Sequence, residues 1–229
     1  MRIIPASDSA LLVTLDDRIS LIAHNRVIAL FQAFERRDDH RIRNLHPAYA
    51  SLLIDFDPLS ATHHEIEELV LSLSSQLEMP EVLTTELIEI PVCYDLEFAP
   101  DLANVAQHLR LGPEQVVALH AAGEYRVYFL GFSPGFAYLG GVPQALHVPR
   151  LATPRTHVKA GSVGLAGEQT GIYPNDSPGG WQVIGRTPQR MFDPSHVPAS
   201  RLRPGDRVRF RRISGVEFEQ LARDLERGD

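Results

Sequence analysis

Lys159 is the only lysine in a chain of 229 residues, and His157 stands two positions before it in Pro154-Arg155-Thr156-His157-Val158-Lys159-Ala160-Gly161-Ser162. Residues two apart on an extended strand project to one face, so His157 and Lys159 can meet a single ligand. A lysine ammonium is a compact, mobile charge suited to a phosphoryl oxygen, whereas arginine favours planar, bidentate partners. Downstream, Ser162, Thr170, Gly171 and Asn175 bring hydroxyl, backbone N–H and amide groups that can surround a phosphate or a carboxylate. Glu168 and Asp176 are acids able to join the water shell of a magnesium ion carried by phosphates. The same stretch also reads as a solvated strand with one cation and ordinary surface acids. His157, Lys159 and Glu168 are the catalytic candidates; Ser162, Thr170, Gly171 and Asn175 are the cofactor-binding ones.

Two further segments carry fixed loops. Gly131-Phe132-Ser133-Pro134-Gly135-Phe136-Ala137-Tyr138-Leu139-Gly140-Gly141 joins glycines and a proline to aromatics, and reads either as a barrel corner or as a ligand-binding loop. Ser133 lacks the Gly-x-Ser-x-Gly setting of a nucleophile elbow. In Tyr173–Arg186 the turn Ser177-Pro178-Gly179-Gly180 leads to Trp181, the only tryptophan, which either packs in the core or lines a cleft or partner surface. Phe132, Ser133, Tyr173 and Trp181 are therefore the candidates for a substrate or partner cleft. No Walker A pattern precedes Lys159, and no Gly-x-Gly-x-x-Gly follows a strand, so ATP would need another kind of site or one completed by a partner. No protein metal site is expected: His63 and His64 are adjacent on a helix and point about 100° apart. Cys93, the single cysteine, reads as a packed side chain.

The elements that must position these residues divide by composition. All 16 glycines lie from Gly112 onward, and residues 1–90 hold 15 acidic against 7 basic residues while the rest hold 14 against 15. The first part reads as a strand at Ala10–Leu15, a helix over Ile19–Phe34, strands at Ile42–Leu45 and Tyr49–Phe56, a helix opened by the capping box Thr62-His63-His64-Glu65, and a last strand at Glu86–Val92. That order, βαββαβ, is the ferredoxin-like arrangement for an α+β domain over 1–90. In 91–229, helices at Asp101–Leu109 and Glu114–His120 precede strands at Tyr125–Leu130, His157–Ala160, Gly164–Ala166, Trp181–Arg186 and Arg207–Arg212. Ser214-Gly215-Val216-Glu217 opens a terminal helix through Leu225. Short strands with long Gly/Pro-rich connections indicate a mainly β barrel or strongly curved sheet.

A formal charge of −7 has the wrong sign for passive condensation on nucleic acid or anionic lipid. Arg207, Arg209 and Arg211 share one strand face, yet no stacking aromatics interleave them, so no nucleic-acid partner is expected. No apolar run reaches the length of a membrane span, and a cytoplasmic protein is expected.

Ile90-Pro91-Val92-Cys93-Tyr94, the blocks 125–141, 160–174 and 177–186, Pro149-Arg150 with Pro154-Arg155, and Pro204-Gly205-Asp206-Arg207-Val208 together resemble one family, named variously for the B component of 5-oxoprolinase, for allophanate hydrolase subunit 1 and for kinase A inhibitor. The resemblance implies an α/β N-terminal domain and a cyclophilin-like C-terminal barrel. It also implies a non-autonomous enzyme subunit that acts with the A and C components of 5-oxoprolinase to convert L-5-oxoproline to L-glutamate with ATP, used as its magnesium complex. Under it, Lys159 and Thr170 stand near phosphate, His157 orients or transfers a proton, and Tyr173, Asn175 and Trp181 face the cleft or a partner. No biotin attachment is expected on this chain, which lacks a Met-Lys carrier motif. The family also leaves open a subunit of a urea carboxylase or allophanate hydrolase system, and a binding inhibitor of a sensor histidine kinase.

Overall fold

The computed structural model describes residues 1–17, 20–77 and 87–228, in two compact units, Met1–Thr84 and Thr85–Asp229. The first unit carries β1 (Arg2–Ser7), β2 (Ala10–Thr14), α1 (Leu21–Arg37), β3 (Ile42–Pro47), β4 (Ser51–Phe56) and α2 (His63–Gln76), with the sheet ordered β1-β2-β4-β3. The alternation of β4 buries Leu52, Ile54 and Phe56 against Val27, Leu30 and Phe34 of α1 and Ile66 and Val70 of α2. Ser20 Oγ caps α1 by accepting from Ala23 N at 3.1 Å. The expected capping box of α2 is complete: Glu65 N donates to Thr62 Oγ1 at 3.3 Å, and Thr62 N donates to Glu65 Oε2 at 2.8 Å. The start of the expected first helix at Ile19 lies outside the described residues.

The strand order corrects the βαββαβ reading. Glu86 lies outside the described residues, and the rest of Glu86–Val92 falls in β5 (Leu87–Cys93), which belongs to the second unit and pairs in parallel with β13 (Arg207–Ile213) from Leu87↔Arg207 to Cys93↔Ile213. The neighbour of β2 is instead β1, joined to it as an antiparallel hairpin. Periodicity misses β1 because Arg2–Ser7 contains Pro5 and exposes nearly every side chain. The compositional break at residue 90 accordingly falls inside β5, six residues after the boundary between the units.

After β5, the second unit contains α3 (Leu102–Leu109), α4 (Pro113–Ala122), β6 (Tyr125–Leu130), β7 (Ala137–Gly140), β8 (Arg155–Val158), β9 (Ser162–Ala166), β10 (Gln169–Ile172), β11 (Ser177–Gly179), β12 (Gln182–Arg186), β13 and α5 (Gly215–Gly228). Seven strands close a barrel in the order β10-β7-β6-β13-β5-β12-β9, while β8 and β11 form a separate ribbon. Ile90, Val92, Val127, Leu139, Val163, Leu165, Ile184, Val208 and Phe210 fill its core. Pro113 starts α4 where an N–H would be unpaired in any case. Ser214 caps α5, its Oγ accepting from Glu217 N at 3.2 Å. Among the described residues no helix is long and apolar enough to cross a membrane.

Candidate functional site

The β8–β11 ribbon presents the candidate cations. Val158 pairs with Ser177 and turns inward against Phe136, Tyr173 and Trp181. Strand alternation therefore sends Arg155 and His157 to the other face, where they line a cleft of about 380 Å³ with Lys159, Ser162, Arg186, Val183 and the Glu97–Pro100 segment.

The turn that carries Lys159 is held from both sides. Ala160 N donates to Asp176 Oδ1 at 2.7 Å, and Ala160 O accepts from Arg186 Nε at 2.8 Å. Gly161 follows with φ +80°, and a Cβ there would lie 2.2 Å from Thr187 O. Only glycine fits such a return. Its N–H donates to Tyr173 O at 2.7 Å, and its carbonyl accepts from Thr187 N at 2.9 Å. Asp176 Oδ2 also lies 3.4 Å from His157 Nε2, so it orients the imidazole.

Arg155 has a firmer support. Its Nη2 donates to Asp101 Oδ1 at 2.5 Å, while Asp101 Oδ2 accepts from Val183 N at 2.7 Å. Asp101 is a buried residue at the head of α3, and its side chain makes no cap bond to that helix. Four groups that are or can be cationic, Arg155, His157, Lys159 and Arg186, thus line one cleft beside Glu97. Such a donor set suits an anion with several oxygens.

Lys159, His157 and Ser162 come together as the sequence suggests, although Ser162 is largely buried. Glu168 does not join them. It is exposed in the β9–β10 turn after Gly167, at the opposite end of β9 from Ser162, about 13 Å of strand away. Asn175 is exposed next to Asp176 and does not line the cleft.

Thr170 is corrected from phosphate ligand to core residue: it is fully buried, its Oγ1 donating to Gly164 O at 3.0 Å and lying 3.0 Å from His120 Nε2. Gly171 is buried as well. A Cβ there would come 2.9 Å from Ala137 O and 3.1 Å from Trp181 Cζ3, so its lack of a side chain serves packing. Tyr173 and Trp181 pack edge-on against Phe136, with centroids at 5.2 and 5.4 Å, and are buried rather than cleft-facing. Burial pushes the Tyr173 phenol pKa up.

Phe132, 62% exposed, stands at the tip of its loop and meets Phe136 and Tyr173 edge-on. Ser133 Oγ is enclosed without a hydrogen-bond partner. The Phe132–Gly141 loop and the Lys159–Asn175 stretch therefore touch through aromatic packing instead of facing each other across an open cleft. Sequence reasoning passed over Arg155, Arg186 and Asp101. The signal available for Arg155 was its spacing, two residues before His157 on the same strand.

A buried polar chain in the same barrel also went unread. Because the Thr170 hydroxyl donates to Gly164 O, it must accept from His120 Nε2–H, which leaves His120 Nδ1 to accept from the Tyr94 hydroxyl at 2.8 Å. Burial holds the imidazole pKa down at about 3.

The sequence matches the family described as carboxyltransferase domain, subdomain C and D, over residues 1–202. It is similar to the B component of 5-oxoprolinase from Bacillus subtilis (strain 168), 38% identical over 225 residues that cover 92% of each chain. It is likewise similar to the B component of 5-oxoprolinase from Haemophilus influenzae, 39% identical over 223 residues covering 95% of this chain and 100% of the relative. Among solved structures, that of TTHA0988 shares 38% identity at a TM-score of 0.80, covering 90% of this chain and 40% of that one. This chain thus corresponds to less than half of that longer protein.

Proposed function

The chain belongs to the carboxyltransferase subdomain C and D family and, within it, to the 5-oxoprolinase B components, and from that membership we propose that its barrel cleft binds anionic groups of ATP and 5-oxoproline while the lactam is opened. It is an enzyme subunit, and its partners in this reading are the A and C components. The barrel is read as cyclophilin-like, and the β2-β4-β3 sheet as ferredoxin-like with an N-terminal edge strand.

A lactam resists water because its nitrogen donates into the carbonyl. Transfer of the γ-phosphoryl group from ATP to the carbonyl oxygen breaks the bond to the ADP oxygen and leaves an imidate-like carbon. Water then adds to that carbon. The C–N bond breaks with its electron pair and a proton passing to nitrogen, and a second water hydrolyses the resulting acyl phosphate to glutamate and phosphate. Negative charge is concentrated on phosphoryl oxygens throughout, and placed cations lower the cost of that charge.

The observation that carries the reading is the convergence of Arg155, His157, Lys159 and Arg186 on one cleft of about 380 Å³. Lys159 and Arg186 suit phosphoryl oxygens, and His157, oriented by Asp176, suits proton movement at the lactam oxygen or nitrogen. Magnesium travels with the nucleotide phosphates.

The test is omission. The A and C components are mixed with this chain, 5-oxoproline and ATP, and glutamate and phosphate are measured. Turnover that requires this chain is the expected result; identical turnover without it rejects the proposal.

A further inference from the structure

Arg155, His157 and Lys159 stand at alternate positions along and just past β8, about 7 Å apart at each step. Their surroundings make them unequal. Lys159 is exposed at a turn and acts as a mobile point charge. Arg155 is braced: Asp101 Oδ1 holds its Nη2, and Asp101 is itself fixed by Val183 N–H on its Oδ2 and by its own N–H to Val183 O at 3.0 Å. The Arg155 side chain is about a third exposed where it lines the cleft, while its Nη1 is enclosed by protein without a hydrogen-bond partner. A guanidinium carries five N–H donors in a fixed plane, and Asp101 occupies only one edge.

We propose that Arg155, positioned by Asp101, is the carboxylate-recognising residue of the cleft, so that the site selects a cyclic amide bearing its own negative charge over a neutral one. The inference rests on the lactam-opening reading above and adds its specificity determinant. In a small lactam acid the carboxylate and the carbonyl lie on opposite sides of the ring nitrogen. A carboxylate on Arg155 therefore turns the carbonyl oxygen along the strand toward His157 and Lys159, where the phosphoryl group arrives. A neutral lactam leaves the braced guanidinium without its planar partner, and sites built around such a group reject analogues that lack the matching one. Arg155 touches substrate in this arrangement, and Asp101 is a positioning residue acting through it.

The experiment uses the enzyme assembled from this chain and the A and C components, and measures KM and kcat for 5-oxoproline and Ki for 2-pyrrolidinone, the same ring without the carboxylate. With the wild-type chain, KM for 5-oxoproline is expected far below Ki for 2-pyrrolidinone; comparable values overturn the proposal without recourse to any variant. Arg155→Met should raise KM for 5-oxoproline about 10- to 100-fold, the scale of a lost charge-assisted contact, with a smaller change in kcat and none in Ki. Arg155→Lys should recover part of the loss, and Asp101→Asn, which keeps an acceptor for Val183 N–H, should raise KM by an intermediate factor. An unchanged KM in Arg155→Met, or an equal rise in KM and Ki, overturns the inference while the lactam-opening function stands. Absence of wild-type turnover overturns both.

Discussion

His120 and Thr170 lie 50 residues apart in sequence and meet inside the barrel, with His120 Nε2 3.0 Å from Thr170 Oγ1. The contact fixes one tautomer and one direction of donation from the Tyr94 hydroxyl through the imidazole to Gly164 O. Along this chain the donors of Tyr94, His120 and Thr170 are all used, and the imidazole stays neutral: burial lowers its pKa from an ordinary 6.5 to about 3.

That shift sets a pH dependence. The folded pKa is depressed, so the unfolded chain takes up a proton on His120 that the native chain does not. The associated stability is complete above about pH 6.5 and falls as pH drops toward about 3, by about 1.4 kcal/mol per unit. Urea denaturation between pH 7 and pH 5 should show this loss, and His120→Phe should flatten the slope. Equal slopes for the two proteins would contradict it.

Thr170→Val keeps the volume but leaves His120 Nε2–H without its acceptor and removes the hydroxyl donated to Gly164 O. We expect a loss of about 1–3 kcal/mol for each buried group left without a partner, read as a lower denaturation midpoint. Turnover by the assembled enzyme should persist wherever the variant remains folded, because Thr170 does not reach the cleft. A raised KM for ATP at unchanged stability would return Thr170 to the phosphate site.

Gly161 and Gly167 both have positive φ, +80° and +60°, but a Cβ at Gly161 would strike Thr187 O at 2.2 Å, whereas Gly167 has open space around it. Gly167→Ala should therefore cost only about 1 kcal/mol from the left-handed backbone. Gly161→Ala should cost more and also lower turnover, since it displaces the turn that carries Lys159. Thermal melts of the two variants with rates on the assembled enzyme separate the effects; equal losses at both glycines would deny the steric account.

Lys159→Ala removes an exposed side chain and should leave the unfolding free energy within about 0.5 kcal/mol of the wild-type value. In the assembled enzyme it should reduce kcat/KM for ATP at least about tenfold through the lost charge-assisted contact. Glu168→Gln, at the far end of β9, should leave kcat/KM within twofold. A strong effect at Glu168 with none at Lys159 would place the chemistry at the other end of the barrel.

Local rules read well in this chain. The capping box at Thr62 is complete, Ser214 caps α5 through its Oγ, and β6 spans Tyr125–Leu130 as alternation and flanking glycine imply. Glycine-rich turns were legible, as was the shared face of His157 and Lys159. Aromatic residues beside glycines misled. Trp181 was open to a core or a cleft and Tyr173 was assigned to the cleft, and only their packing against Phe136 decided for the core. Thr170 was assigned to the phosphate site and proved buried, because a hydroxyl on a strand does not announce whether its face is wet.

What the amino-acid order determined by itself was whatever depends on neighbours a few residues apart: helix starts, strand alternation, turns that demand glycine, and the pairing of His157 with Lys159 on one face. What only the tertiary structure decided was which distant segments meet. β5 joins β13 rather than the N-terminal sheet, and Asp101 reaches Arg155 across 54 residues. Strand partners and buried ion pairs are chosen by the burial and hydrogen bonding of the whole assembled barrel, and no short window of sequence contains that choice.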